Sequence, residues 1–118
     1  MNPKIFNVEA DNVDLEFTQG DTIDLSFSVK KNNVVYDMSG MTINMTVRTK
    51  DINNTIIRTL SSDGTSPAIS ISTSTLHLVS LGFTESGKYQ YDIQVEDLSD
   101  EILTIVRGNL IVVKEQTV

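Results

Sequence analysis

The feature that most constrains the fold is an alternation of apolar and polar residues that recurs along the chain. Successive side chains of a β-strand point to opposite faces, so an alternating run has one face to bury and one to leave in solvent. Gly, Asn, Asp and Ser separate the runs, which favours antiparallel strands packed as a sandwich. At least five runs have this pattern: Val13-Leu15-Phe17, Ile23-Leu25-Phe27-Val29, Met41-Ile43-Met45-Val47, Tyr89-Tyr91-Ile93-Val95 and Leu110-Val112.

The alternation and the turn residues together predict eight or nine strands and no convincing helix. Apolar residues at three-four spacing over 76–83 allow one helical turn at most. Gly108 is expected to mark a bulge or a bend between the last two strands. The predicted core contains Leu25, Phe27, Ile43, Met45, Tyr91 and Ile93. The ten runs from which these eight or nine strands are counted are 13–17, 22–29, 34–36, 41–49, 55–60, 68–72, 75–78, 88–95, 101–107 and 108–113, the last two adjoining at Gly108.

The two ends of the chain lack this period. A length of 118 residues predicts one domain, 1–118, with residues 1–10 as an N-terminal arm or short edge strand and 114–118 as a short tail. Apolar side chains in these ends gain little from exposure in a monomer. We therefore expect them to make assembly contacts, for instance by adding a strand to a neighbour's sheet edge. The residues concerned are Ile5, Phe6, Val8 and Val118.

The composition argues against several classes of partner. The net charge of −7 and the nine scattered basic residues disfavour binding to nucleic acid, which needs clustered Lys and Arg. No run approaches the roughly 20 apolar residues of a membrane helix, so no membrane partner is expected. The chain has no Cys, and no disulfide can staple it.

Few residues could carry catalytic or metal chemistry. His77 is the single histidine, and with no Cys the chain has too few soft ligands for a zinc site. A Ser-His-Asp arrangement would need His77 beside a Ser and a carboxylate. His77 is expected to be a half-exposed strand residue. Acidic residues between 11 and 24 could offer oxygen ligands to calcium, but they lack the calcium-loop spacing and are better explained as charges on a sheet edge. We expect no enzymatic activity, no cofactor and no metal.

Gly87 and Tyr89 form a more specific motif. A turn containing Gly, followed by Tyr near the start of a late strand, is similar to the tyrosine corner of Greek-key sandwiches. There the hydroxyl bonds back to the backbone a few residues upstream. The motif favours an all-β, antiparallel Greek-key β-sandwich of about eight strands with Gly87 and Tyr89 at a structural corner.

Four segments, taken in order, resemble the small immunoglobulin-like sandwiches of bacteriophage virions, including the N-terminal domain of phage baseplate upper proteins. Each segment is a turn followed by a strand, and together they span nearly the whole chain. The segments are Thr18-Gln19-Gly20-Asp21-Thr22-Ile23-Asp24-Leu25, Tyr36-Asp37-Met38-Ser39-Gly40-Met41-Thr42-Ile43, Gly87-Lys88-Tyr89-Gln90-Tyr91-Asp92-Ile93 and Gly108-Asn109-Leu110-Ile111-Val112.

The resemblance implies a non-enzymatic structural or adaptor protein of the virion, in a tail, baseplate, head fibre or capsid decoration. It implies assembly in the host cytoplasm into a homo-oligomer or onto other virion proteins. The alternative is a binding module for a bacterial surface glycan or protein. Exposed loop aromatics would favour that alternative, and Phe83 and Tyr36 are the candidates.

Overall fold

The computed structural model describes residues 4–8, 11–31, 34–63 and 68–114, and these residues form an all-β structure without a helix. The described residues contain eleven strand segments, two of them only two residues long, where about eight strands were expected. They are β1 (Lys4–Val8), β2 (Asp11–Asn12), β3 (Leu15–Thr18), β4 (Ile23–Lys31), β5 (Val34–Val35), β6 (Thr42–Thr49), β7 (Ile56–Ser61), β8 (Ile69–Ser72), β9 (Thr75–Ser80), β10 (Gly87–Glu96) and β11 (Ile102–Val113).

The strands form two sheets that pack over a shared core. The five-stranded sheet has the order β1-β4-β9-β8, with β5 also paired to β4. The six-stranded sheet has the order β2-β11-β10-β6-β7, with β3 also paired to β11. The chain therefore changes sheets after β1, β3, β5, β7 and β9. The predicted all-β sandwich is confirmed.

The core consists of the apolar residues of the alternating runs. Along β6 and β10 every second residue is buried, and the residues between them face outward. All six residues predicted for the core are buried, and Phe27 at its centre is 0 % exposed. Burial of apolar surface is the main stabilising contribution available to a chain without disulfides.

The predicted antiparallel pairing is found among β4 to β11, but the three N-terminal strand segments pair in parallel. β1 pairs in parallel with β4, and both β2 and β3 pair in parallel with β11. The alternation of side chains is the same in parallel and antiparallel strands, so the pattern carries no information on strand direction. Residues 4–8 are the short edge strand β1, paired with β4 of the same chain.

Two local expectations need correction. The bulge in β11 lies at Ile105 and not at Gly108, because the register against β10 shifts between Val106 and Thr104. Both Ile105 and Val106 are buried there. The single helical turn allowed over 76–83 is absent, since residues 75–80 form strand β9 between β4 and β8.

Candidate functional site

The backbone at Val13 and Asp14 comes unusually close to β11, and two side chains hold it there. The Tyr91 hydroxyl donates a hydrogen bond to the Val13 carbonyl. The Asn109 N–H donates to Asp14 Oδ1 at 3.0 Å, so a side chain replaces the backbone acceptor at this step of the ladder. A Cβ at Gly108 would overlap the Val13 carbonyl. Glycine is therefore required at 108 for this close approach.

Tyr91 combines a buried ring with a hydroxyl bonded at this crossing. Burial raises the pKa of the Tyr91 hydroxyl, and the negative charge of Asp14 raises it further, because both disfavour the phenolate. The neutral phenol is the form that donates to Val13. Its role is to hold the edge strand in place.

The predicted corner residues lie where β10 begins. The Tyr89 hydroxyl donates to the Glu85 carbonyl at 3.0 Å, four residues upstream. Gly87 between them has φ of +152°, a conformation that favours glycine. The Tyr89 ring stacks on Phe83, with the ring centroids 6.0 Å apart.

Phe83, a candidate aromatic for the alternative binding function, is not exposed. It is 5 % exposed and packs between Phe17 and Tyr89, while Tyr36 is partly buried against the core. The sequence pattern places Phe83 in the loop between two strands. In the structure its ring packs into the hydrophobic core instead of facing solvent. The residues proposed for aromatic ligand contacts are therefore structural.

The Arg58 side chain joins the two sheets beside Phe83. It lies on edge strand β7, and its guanidinium reaches the connection after β9 in the other sheet. Nη1 donates to Ser80 Oγ at 3.2 Å and to the Leu81 carbonyl at 2.5 Å, and Nη2 donates to the Gly82 carbonyl at 3.3 Å. The guanidinium carbon is 4.2 Å from the centroid of the Phe83 ring. One side chain thus links the two sheets.

The residues predicted for assembly fall in two places. Ile5, Phe6 and Val8 belong to β1, whose backbone pairs with β4 at Ser26, Phe27 and Val29 respectively. Val118 lies outside the described residues. The role of these four residues in assembly stays a prediction.

The β6–β7 hairpin carries a set of exposed apolar residues that the sequence pattern did not single out. Ile52 in the turn is 99 % exposed, and Ile56 and Ile57 on β7 are 54 % and 41 % exposed. We call these three residues the isoleucine hairpin. β7 is an edge strand, so unpaired backbone groups accompany them. In the sequence, the signal for these residues is a set of isoleucines in a segment, 52–57, where apolar and polar residues do not alternate regularly.

The outer face of the six-stranded sheet holds a polar groove of about 720 Å³. Side chains from β6, β10, β11, the β6–β7 turn and the N-terminal edge converge there because alternate residues of neighbouring strands share a face. Its polar side chains are Asn12, Asp14, Arg48, Lys50, Asn54, Gln90, Asp92, Thr104, Arg107 and Asn109.

Hydrogen bonds that join the β6–β7 turn to β10 and β11 fix several of these side chains. Lys50 Nζ donates to Asn109 Oδ1 at 2.6 Å, and Gln90 Nε2 donates to Asn54 Oδ1. Arg48 Nη1 lies 3.5 Å from Asp92 Oδ2, at the long end for an ion pair. Sequence reasoning missed this groove because its residues come from separate segments that only the sheet register brings together.

His77 is a half-exposed residue of β9, as expected. Its Nε2 lies 2.6 Å from Asp24 Oδ1 on β4. In the described part of the chain, no three His, Cys, Asp or Glu residues are grouped so that they could hold a metal ion. Within the same residues no helix is long and apolar enough to cross a membrane.

No protein-family model matches this chain, and no curated protein matches it significantly.

Proposed function

We propose that this protein is a non-enzymatic structural or adaptor module of a bacteriophage virion that acts through protein–protein assembly. The ordered motif resemblance supports the virion setting and an immunoglobulin-like, Greek-key version of the sandwich. The observation that carries assembly is the isoleucine hairpin. Its three exposed isoleucines lie within six consecutive residues, on an edge strand and in the turn before it. An edge strand that exposes apolar side chains is a template for pairing with another chain.

The partner at this surface is a second copy of the chain. The β7 segment has one charged residue, Arg58, whose guanidinium is bonded to its own chain and not directed toward a neighbour. The opposite edge of the same sheet carries Asp14 and Glu16, both exposed, and would repel a like edge. In a chain of net charge −7, β7 is therefore the edge of this sheet at which two copies meet with the least repulsion. Pairing of like edges gives closed two-fold symmetry.

Light scattering coupled to gel filtration tests this assembly. We expect a mass above the 13.1 kDa of one chain that rises with protein concentration. Ile56→Lys and Ile57→Lys should return the protein to one chain, whereas Val79→Lys should not. Val79 is a matched control because it is 43 % exposed on an internal strand.

A wild-type protein of one-chain mass at every concentration would overturn self-assembly. Deleting residues 1–10 tests the predicted arm separately. Because the deletion also removes β1 from its sheet, loss of assembly would assign the contact to the segment with Ile5, Phe6 and Val8 only if the circular dichroism spectrum and the melting temperature are unchanged. The virion setting is tested by the genes flanking the coding sequence, which should encode head or tail proteins.

A further inference from the structure

We infer that the polar groove on the outer face of the six-stranded sheet binds an acidic oligosaccharide through its sugar hydroxyl and carboxylate groups. The inference goes beyond the proposed function, because it concerns the sheet face and not the β7 edge. The volume of about 720 Å³ lies within the range of small-ligand sites.

The side chains that line the groove carry a net positive charge, whereas the chain as a whole is negatively charged. Its lining contains three cations, Arg48, Lys50 and Arg107, and two carboxylates, Asp14 and Asp92, so it carries a net charge of +1 while the chain carries −7. An anionic ligand is therefore drawn to this face and repelled by much of the remaining surface.

Arg107 is the cation best placed to take a ligand carboxylate. It is exposed, and among the described residues its guanidinium makes no hydrogen bond or ion pair. A guanidinium matches a carboxylate with two parallel hydrogen bonds. By contrast, Lys50 donates to Asn109 and Arg48 lies near Asp92.

The uncharged polar side chains of the groove can form hydrogen bonds with the hydroxyl groups of a sugar. Four carboxamides, those of Asn12, Asn54, Gln90 and Asn109, offer both donors and acceptors, as sugar hydroxyls do. The bonds from Gln90 to Asn54 and from Lys50 to Asn109 hold side chains in place before a ligand arrives. That preorganisation reduces the entropy lost on binding.

The same lining argues against a peptide. Peptides are commonly held by backbone pairing at a sheet edge or by apolar and aromatic pockets. The groove lies on the face of internal strands β10 and β11, and its one aromatic residue, Tyr91, has its ring buried in the core. Hydrogen-bonded recognition of a hydroxyl-rich ligand fits this surface better.

Titration of the ¹⁵N-labelled full chain with an oligogalacturonate of about four sugars tests the inference. We expect amide shifts centred on Gln90, Arg107 and Asn109, with affinity that falls as salt is added. Arg107→Gln should weaken binding by about tenfold or more, since a charged hydrogen-bonded contact is lost. Lys114→Gln makes the same charge change outside the groove and should leave the affinity unchanged.

Three results would overturn the inference. One is the absence of groove shifts at millimolar oligogalacturonate. Another is equal affinity for a neutral maltotetraose, which would remove the role of the carboxylate. The third is equal or tighter binding of a tetraglutamate peptide, which would assign the groove to acidic protein segments. Thermal melts of both variants would show that they remain folded. The oligomeric mass is measured separately, so failure here is distinguishable from failure of the assembly proposal.

Discussion

Tyr91 and Gly108 show how single residues fix the position of an edge strand. The Tyr91 phenol donates to the Val13 carbonyl, and the missing Cβ at Gly108 leaves room for that carbonyl. The alternation predicted correctly that Tyr91 is buried. It could not predict the bond, because Val13 is 78 residues away and no local pattern couples the two positions.

The raised pKa of Tyr91 predicts loss of stability at alkaline pH. The folded state favours the neutral phenol, so this contribution is fully present below the unfolded-state pKa of about 10 and is lost as the pH rises above it. Urea unfolding between pH 9 and pH 12 should show the decline. Tyr91→Phe should be less stable at pH 9 and decline less steeply as the pH rises. Parallel curves for wild type and Tyr91→Phe would contradict this.

Gly108→Ala should destabilise the protein by about 1–3 kcal/mol, because the new methyl group overlaps the Val13 carbonyl. Once the carbonyl has moved, the Tyr91 hydroxyl has no acceptor. A double-mutant cycle of Gly108→Ala with Tyr91→Phe should therefore be non-additive, whereas the cycle with Tyr36→Phe should be additive. Additivity in both cycles would mean that the two residues do not act on the same carbonyl.

At the scale of elements, side-chain bonds connect segments that the backbone ladders do not. Arg58 links β7 to the connection after β9, and Tyr89 ties the start of β10 to the preceding turn. The sequence predicted the Tyr89 motif because Gly87 and Tyr89 are close in the chain. It could not predict Arg58, whose acceptors lie 22 to 24 residues away in the other sheet.

Arg58→Lys should lower the free energy of unfolding by about 1–3 kcal/mol. A lysine ammonium cannot make the hydrogen bonds of both guanidinium nitrogens and also lie over the Phe83 ring. Arg48→Lys is the matched control. Its 3.5 Å pair with Asp92 is partly exposed and should contribute at most about 1 kcal/mol. Chemical denaturation measures both, and hydrogen exchange should become faster at residues 80–83 in Arg58→Lys alone. Equal losses in the two variants would refute a special role for Arg58.

Tyr89→Phe should lower stability by about 1–3 kcal/mol while leaving the circular dichroism spectrum unchanged, because the Glu85 carbonyl loses its donor. The melting temperature reports the loss. An unchanged melting temperature would reduce Tyr89 to a packing residue of β10.

For the molecule as a whole, the period of the sequence determines the inner faces of the sheets but not the order of the strands. Leu25, Phe27 and Ile43 are buried as predicted, since alternation directly encodes which side of a strand faces the core. Strand partners depend on contacts far apart in the chain, so the parallel pairing of β3 with β11 was not foreseen. The groove was missed for the same reason.

Phe27→Ala tests the centre of this core. The side chain is fully buried, so its removal should cost about 3–5 kcal/mol. Ser26→Ala on the outward face of the same strand should change stability by less than about 0.5 kcal/mol. Urea unfolding of both variants measures the contrast, and a small loss for Phe27→Ala would place the core elsewhere.

The crossing at Val13 also has a consequence for biosynthesis. Asp14 and its partner Asn109 are 95 residues apart, and translation delivers the first long before the second. Until residue 109 has left the ribosome, the segment from Asp11 to Thr18 has no strand to join, and β10 is open along one side. A nascent chain arrested before β11 should therefore remain sensitive to protease, and protection should appear only after β11 has emerged.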